Sequence, residues 1–236
     1  MGKAKYKRIL LKLSGEALAG KKGFGIDSET VNGIVDSLVE VYGMGVQIAL
    51  VVGAGNFFRG RDGAGMDRST ADHMGMLGTV INALALQDAI EKREIPTRVM
   101  TAIPMDRICE PYIRRKAVSH LENNDIVIFA CGTGNPFFST DTAAALRAAE
   151  IDADIILFAK NIDGIYSDDP NKNPDAVKYN TISYHEVLKK KLAAIDLTAT
   201  SLCLDNEMPS LLFALEKPDN IVDAVLGKST GTYIEK

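Results

Sequence analysis

Short, almost uninterrupted apolar runs alternate along this chain with stretches in which apolar residues recur every three or four positions. The runs at Arg8–Leu13, 46–52, 97–102, Ile126–Ala130 and 154–159 have strand length. Their lack of polar alternation predicts strands covered on both faces of a sheet. Val31, Ile34, Val35, Leu38 and Tyr42 fall at helical spacing, which predicts a helix capped at Ser28 and ended by Gly43-Met44-Gly45. A long helix starting at Ser69 or Asp72 and reaching Glu94, another that follows Pro111 and runs to about Asn123, and an alanine-rich one over 142–149 complete the alternation. This βαβα rhythm predicts an α/β fold, a three-layer α/β/α sandwich around a mostly parallel sheet with right-handed crossovers.

The texture changes after position 160. Residues 161–179 are rich in Asp, Asn, Pro and Gly and read as loop or hairpin. Helices are expected over 183–192 and 201–207, a strand over 211–215, a helix with Pro218 in its first turn, and a last strand over 231–234. The chain therefore reads as a single domain over 1–236, with an N-terminal lobe to about residue 150 and a C-terminal lobe from about 151 on the same sheet.

Composition narrows the function. Apolar residues make up 46% and charged residues 25%, which suits a water-soluble globular domain. A net charge of -4 argues against a general nucleic-acid binder, which would need a basic face. Cys109, Cys131 and Cys203 are far apart with no CxxC, which suggests reduced thiols and a cytoplasmic location. His73, His120 and His185 lack metal-ligand spacing, so no protein-built metal site is expected. Lys12 interrupts the apolar run Ile9-Leu10-Leu11, far short of a leader's core, and no run approaches the ~18 residues of a membrane span.

Four loops carry the candidate chemistry, each following a strand. The most informative is Cys131-Gly132-Thr133-Gly134-Asn135-Pro136-Phe137-Phe138-Ser139-Thr140-Asp141. Its glycines let backbone N–H groups approach a ligand, its hydroxyls and the following helix start favour an anion, and its Phe pair offers a flat apolar wall. That combination suits a nucleoside monophosphate; an N-capped βα loop with buried Phe has the same composition. Lys12-Leu13-Ser14-Gly15 can place an ammonium over a phosphate, or be a solvated lysine before an ordinary turn. Gly53-Ala54-Gly55-Asn56-Phe57-Phe58-Arg59-Gly60 offers converging N–H groups and a guanidinium, or a tight turn with Arg59 in water. The segment 160–170 places Asn161, Tyr166 and Asp169 where an adenosine could lie, or is a surface hairpin. Neither common nucleotide signature is present: no G-x-x-x-x-G-K-[ST] and no G-x-G-x-x-G after the first strand. The stronger signal is that three Gly-rich loops would open on one sheet edge, where open α/β sheets bind ligands.

With these segments in hand, the chain resembles the amino acid kinase family along essentially its whole length. The resemblance rests on Lys12 through Leu18, Asp72-His73-Met74-Gly75-Met76-Leu77, Gly132 through Asp141, and Ile162-Asp163-Gly164-Ile165-Tyr166. It is strongest to members that phosphorylate UMP; acetylglutamate and carbamate kinases of the same fold, and a non-catalytic nucleotide binder, are the alternatives. The resemblance implies Mg2+-dependent, reversible transfer from ATP to UMP in pyrimidine nucleotide biosynthesis, a homohexamer, activation by GTP and inhibition by UTP. By the same resemblance Lys12, Leu13, Ser14, Gly15, Gly55, Arg59, Asn161, Tyr166 and Asp169 fall on the ATP side. Gly53, Ala54, Asp72 and the run Thr133, Gly134, Asn135, Pro136, Phe137, Phe138, Ser139 and Thr140 fall on the UMP side. Gly20, Lys21, Lys22, Gly23, Phe24 and Gly25 match the segment associated with GTP, and Lys12, Arg59 and Asp141 are the catalytic set. Ala54 replaces a glycine frequent in that loop, and Lys160 or Asn161 is the adenosine-side contact.

A phosphate acceptor is already ionised at neutral pH, so no general base is needed, and the absence of a Ser-His-Asp or Cys-His arrangement follows. Phosphoryl transfer depends on positioning and on neutralising charge. Asp141 cannot attract phosphate itself, so its expected role is to orient Lys12 or another cation. Asp72 is expected to accept from the ribose hydroxyls.

Overall fold

In the computed structural model the described residues are 2–59, 65–170, 172–228 and 230–236. Met1 and Gly60, the far end of the second Gly-rich loop, lie outside them. In chain order the strands are β1 (Arg8–Leu13), β2 (Gln47–Val52), β3 (Thr97–Thr101), β4 (Glu110–Pro111), β5 (Ile126–Ala130), β6 (Ile155–Lys160), β7 (Ile165–Tyr166), β8 (Lys178–Tyr179), β9 (Thr181–Ser183), β10 (Ser210–Ala214) and β11 (Gly231–Glu235). The helices are α1 (Gly15–Ala19), α2 (Ser28–Gly43), α3 (Arg68–Glu91), α4 (Arg114–Glu122), α5 (Thr140–Glu150), α6 (Tyr184–Lys190), α7 (Leu197–Asp205) and α8 (Asp219–Val225).

Nine strands form one sheet in the order β4-β3-β5-β2-β1-β6-β10-β11-β9, parallel except where β10 meets β11. β7 and β8 make a separate antiparallel hairpin within the segment rich in Asp, Asn, Pro and Gly. Side chains alternate across the sheet. Ile9, Leu11, Leu13, Ile48, Leu50 and Val52 join a core with α2, α3 and α8. Leu10, Ala49, Val51, Ile156 and Phe158 join a second core with α4 to α7. Helices thus cover both faces, which is the α/β/α sandwich that the continuous apolar strands imply. β1 is central, with β2 on one side and β6 on the other, so the crevice at their C-terminal ends is the natural ligand site.

Several boundaries differ from the sequence reading, and side-chain chemistry accounts for them. Asp27, not Ser28, caps α2: its carboxylate accepts from Thr30 N–H at 3.0 Å. Asp67 caps α3 in the same way through Thr70 N–H at 3.0 Å, so Asp72 lies one turn inside the helix. Asp196 caps α7, accepting from Ala199 N–H at 2.9 Å, and moves its start ahead of residue 201. α1, β4 and β9 are short and carry no periodicity to read. Pro111 is tolerated in β4 because that strand is a sheet edge. Cys109, Cys131 and Cys203 are free and buried. Burial pushes all three thiols up, Cys203 to about 12.

Candidate active site

Strand register places the central charges. Lys12 pairs with Phe158 across β1 and β6, and Lys160 lies two residues further along β6 on the same face. Facing both is Asp141, the second residue of α5, whose first turn is fixed by Ser139: its hydroxyl accepts from Asp141 N–H at 2.9 Å and Thr142 N–H at 3.2 Å. Lys12 Nζ lies 2.8 Å from Asp141 Oδ1, and Lys160 Nζ lies 2.5 Å from Asp141 Oδ2. Lys160 also donates to the Ala194 carbonyl at 2.6 Å. These side chains are only 8% (Lys12), 17% (Lys160) and 11% (Asp141) exposed. Burial opposes ionisation of Asp141, but the two ammonium groups outweigh it and hold the carboxyl at about 2. Burial pulls Lys160 below its ordinary value, against the attraction of Asp141. Two cations share one anion, so the cluster carries a net positive charge suited to an incoming phosphate.

The first two Gly-rich loops press against each other beside this cluster. A Cβ on Gly15 would lie 2.6 Å from Gly55 N and 2.7 Å from Gly53 O, so only glycine fits there. Gly53 N–H donates to Leu13 O at 2.9 Å. Among the described residues no acceptor meets the N–H groups of Gly15, Ala54, Gly55 or Asn56. Arg59 pairs with Glu16, which also accepts from Asn161 Nδ2 at 3.3 Å.

The third loop turns sharply, with positive φ at Cys131 (62°), Gly132 (57°), Gly134 (81°) and Phe137 (73°). α3 holds it at two points. Cys131 N–H donates to Thr79 Oγ1 at 2.8 Å, and Phe137 N–H donates to Asp72 Oδ2 at 2.8 Å. Arg68 Nε contacts the same Asp72 oxygen at 2.9 Å, so this carboxylate holds the loop as well as facing the cleft. Phe137 and Phe138 remain 68% and 50% exposed, an aromatic wall on which the Arg68 guanidinium lies over the Phe137 ring, 5.7 Å from its centroid.

Together these elements line a cleft of about 1390 Å³. Clefts that hold one small ligand measure roughly 300–1,000 Å³, so this one is larger than a single ligand needs. Lys12, Ser14, Gly15, Gly53, Ala54, Gly55, Arg59, Asp72, Thr133, Asn135, Phe137, Phe138, Ser139, Thr140, Asp141 and Asn161 all line it. Leu13 is buried beneath it, and Gly134 and Pro136 shape the third loop without lining the cleft. Tyr166 and Asp169 lie off the lining: the Tyr166 hydroxyl donates to Asp163 Oδ1 at 2.9 Å, and Asp169 pairs with Lys172 at 3.1 Å. Gly20 to Gly25 also lie off it, yet they touch the second loop. Gly25 N–H donates to Asn56 O at 2.9 Å, and Phe24 meets Phe57 edge-on at 5.8 Å.

Sequence reasoning missed three parts of the site. The two-residue offset puts Lys160 on the face of Phe158, but its meeting with Lys12 and Asp141 follows only from the pairing of β1 with β6. Asp196, which accepts from Thr142 Oγ1 at 3.0 Å, and the apolar wall of Leu188, Leu192 and Ile195 had no comparable signal.

The model of the amino acid kinase family matches residues 7–213. The crystal structure of a UMP kinase from Bacillus anthracis superposes with a TM-score of 0.94 at 38% identity, covering 98% of this chain and 96% of that one. A UMP kinase from Ureaplasma parvum gives a TM-score of 0.92 at 36% identity, covering 100% of both chains. A uridylate kinase from Archaeoglobus fulgidus gives 0.73 at 27% identity, covering 96% of this chain and 99% of that one. The chain belongs to the amino acid kinase family.

Proposed function

We propose that this chain is a nucleoside monophosphate kinase that transfers the γ-phosphoryl group of ATP to UMP, giving UDP and ADP. The observation that carries this reading is the buried Lys12–Asp141–Lys160 cluster at the meeting point of three loops, in a cleft larger than a single small ligand needs. Full-length similarity to UMP kinases at 36–38% identity supports the acceptor.

The obstacle is bringing two polyanions together. Lys12 and Lys160 neutralise charge on the transferring group, and Asp141 fixes both ammonium groups so that they need not reorganise during transfer. The N–H groups of Gly15, Ala54 and Gly55, which meet no acceptor among the described residues, serve as further donors to the phosphates. Arg59 leaves Glu16 for a phosphate oxygen when substrate arrives. UMP lies against the third loop and Asp72; ATP lies along the first loop, Asn161 and the wall of Leu188, Leu192 and Ile195, with Tyr166 and Asp169 closing from the hairpin. In lobe terms, UMP and the phosphates belong to residues up to about 150 and the rest of ATP to the remainder.

Among the described residues, no three His, Cys, Asp or Glu side chains come together to hold a metal ion. Asp141, Glu16, Asp72 and Asp196 are each engaged by a cation or a donor. The residues present therefore fit Mg2+ carried in on ATP oxygens rather than a protein-built site. When bound it would neutralise the β and γ phosphate charge.

The reading extends to regulation and assembly. The contacts of Gly25 and Phe24 with the second loop give a GTP effect a route from the segment Gly20, Lys21, Lys22, Gly23, Phe24 and Gly25 to the phosphates, and UTP competes at the UMP site. Met74, Leu77 and Ile81 are exposed at helical spacing on α3, which favours a second copy there and a homohexamer built from such pairs. No helix among the described residues is long and apolar enough to cross a membrane, which accords with a cytoplasmic location.

An ADP-release assay with ATP and a panel of UMP, CMP, dUMP, acetylglutamate and carbamate tests this. UMP should be the preferred acceptor; preference for carbamate or acetylglutamate, or no turnover at all, would reject it.

A further inference from the structure

Asn82 in the middle of α3 and Asn56 in the second loop bury their amides face to face, at 0% and 1% exposure. Asn56 Nδ2 donates to Asn82 Oδ1 at 2.9 Å, and Asn82 Nδ2 donates to Asn56 Oδ1 at 2.7 Å. The second N–H of Asn82 goes to the Gly53 carbonyl at 2.8 Å, and that of Asn56 to the Gly25 carbonyl at 2.7 Å. Each amide has two N–H donors, so all four are used. Burying two amides has a desolvation penalty that an apolar pair would avoid, so packing alone does not call for them.

What the pair fixes is the direction of one peptide. The Gly53–Ala54 peptide is planar and trans, so a Gly53 carbonyl turned toward Asn82 aims the Ala54 N–H the opposite way. Ala54 lines the cleft, and its N–H has no acceptor among the described residues. Glycine at 53 sets no steric preference of its own, so its orientation must come from outside the loop. The pair also lies directly behind the first loop: a Cβ on Gly15 would sit 2.7 Å from Asn56 Oδ1. α3 already holds the third loop through Thr79 and Asp72, so Asn82 makes one helix the anchor of both phosphate-facing loops.

We propose that Asn82, with Asn56, is a positioning residue for phosphoryl transfer, locking the Gly53 peptide so that the Ala54 N–H is aimed at the transferring group. This rests on the phosphoryl-transfer reading above. A misplacement of about 1 Å far from the chemistry can lower rate on the order of a hundredfold.

The test compares wild type, Asn82→Ala and Asn82→Leu by kcat with ATP and UMP, by UMP dissociation constant from calorimetry, and by thermal midpoint. Asn82→Leu restores apolar volume without the donor. In folded protein, both variants should lower kcat by about ten- to a hundredfold while UMP affinity changes by less than about threefold. If Asn82 only fills space, Asn82→Leu keeps kcat within about threefold of wild type, and the inference is overturned. Should neither variant fold, Asn56→Ala carries the test, because it leaves the Asn82 amide free to turn from Gly53. It should lower kcat by at least about tenfold, and an unchanged kcat rejects the role. Wild type without UMP turnover would instead overturn the phosphoryl-transfer reading itself.

Discussion

Lys160 Nζ lies 2.5 Å from Asp141 Oδ2, and this contact makes Asp141 a bridge, because its other oxygen faces Lys12. One buried carboxylate therefore sets the position of two cations from adjacent strands.

Asp141→Asn should be damaging on two counts. It leaves two buried ammonium groups without an anion, a change of about 3–5 kcal/mol when a buried pair loses one partner. It also frees both lysines from their common orientation. Denaturant unfolding and kcat measured on the same preparation should both fall; a variant with wild-type stability and kcat contradicts the bridge.

Acid should weaken the fold through the same residue. The Asp141 carboxyl sits at about 2 in the folded chain against an ordinary 3.8. Its contribution is complete above the ordinary value and is lost as pH falls toward the folded one, a loss of roughly 2 kcal/mol between about pH 4 and 2. Thermal midpoints across that range should drop more steeply in wild type than in Asp141→Asn. Parallel curves would remove Asp141 from acid unfolding.

Lys12→Ala separates transition-state help from plain binding. A group that acts mainly as charge moves should lower kcat by roughly 10²–10³ with little change in UMP affinity. Normal kcat with a raised KM for ATP would make Lys12 a binding residue only.

How much of this was legible in the sequence differs by element. The apolar runs at Arg8–Leu13 and Ile126–Ala130 coincide with β1 and β5, because a strand buried on both faces reads as a nearly continuous apolar run, broken inside β1 only by Lys12 of the site. Three loops on one sheet edge follow from parallel strands ending together. The caps were harder: Asp27 and Ser28, or Asp67 and Ser69, are both good capping types, and only the geometry of the first turn chooses between them. Lys160 and Asn82 were invisible for a deeper reason. Each matters through a partner far away in sequence, Asp141 for one and Gly53 for the other, and periodicity carries no long-range pairing.

Regulation through the Gly20 to Gly25 segment predicts a specific loss. Phe24 is 68% exposed, and its packing neighbour Phe57 belongs to the second loop. At subsaturating ATP, GTP should raise the rate of wild type and do so less in Phe24→Ala. An equal GTP effect in both would take Phe24 out of the route, and no effect in wild type would end the proposal.

The most direct test of the central claim is kcat/KM for UMP against CMP with ATP as donor. A site that pairs its polar groups with uracil leaves them unpaired against the cytosine amino group, and such mismatches can reach about 10⁴–10⁵ in discrimination. The account predicts UDP as the product and UMP favoured over CMP by a large factor; equal kcat/KM for the two nucleotides would contradict it.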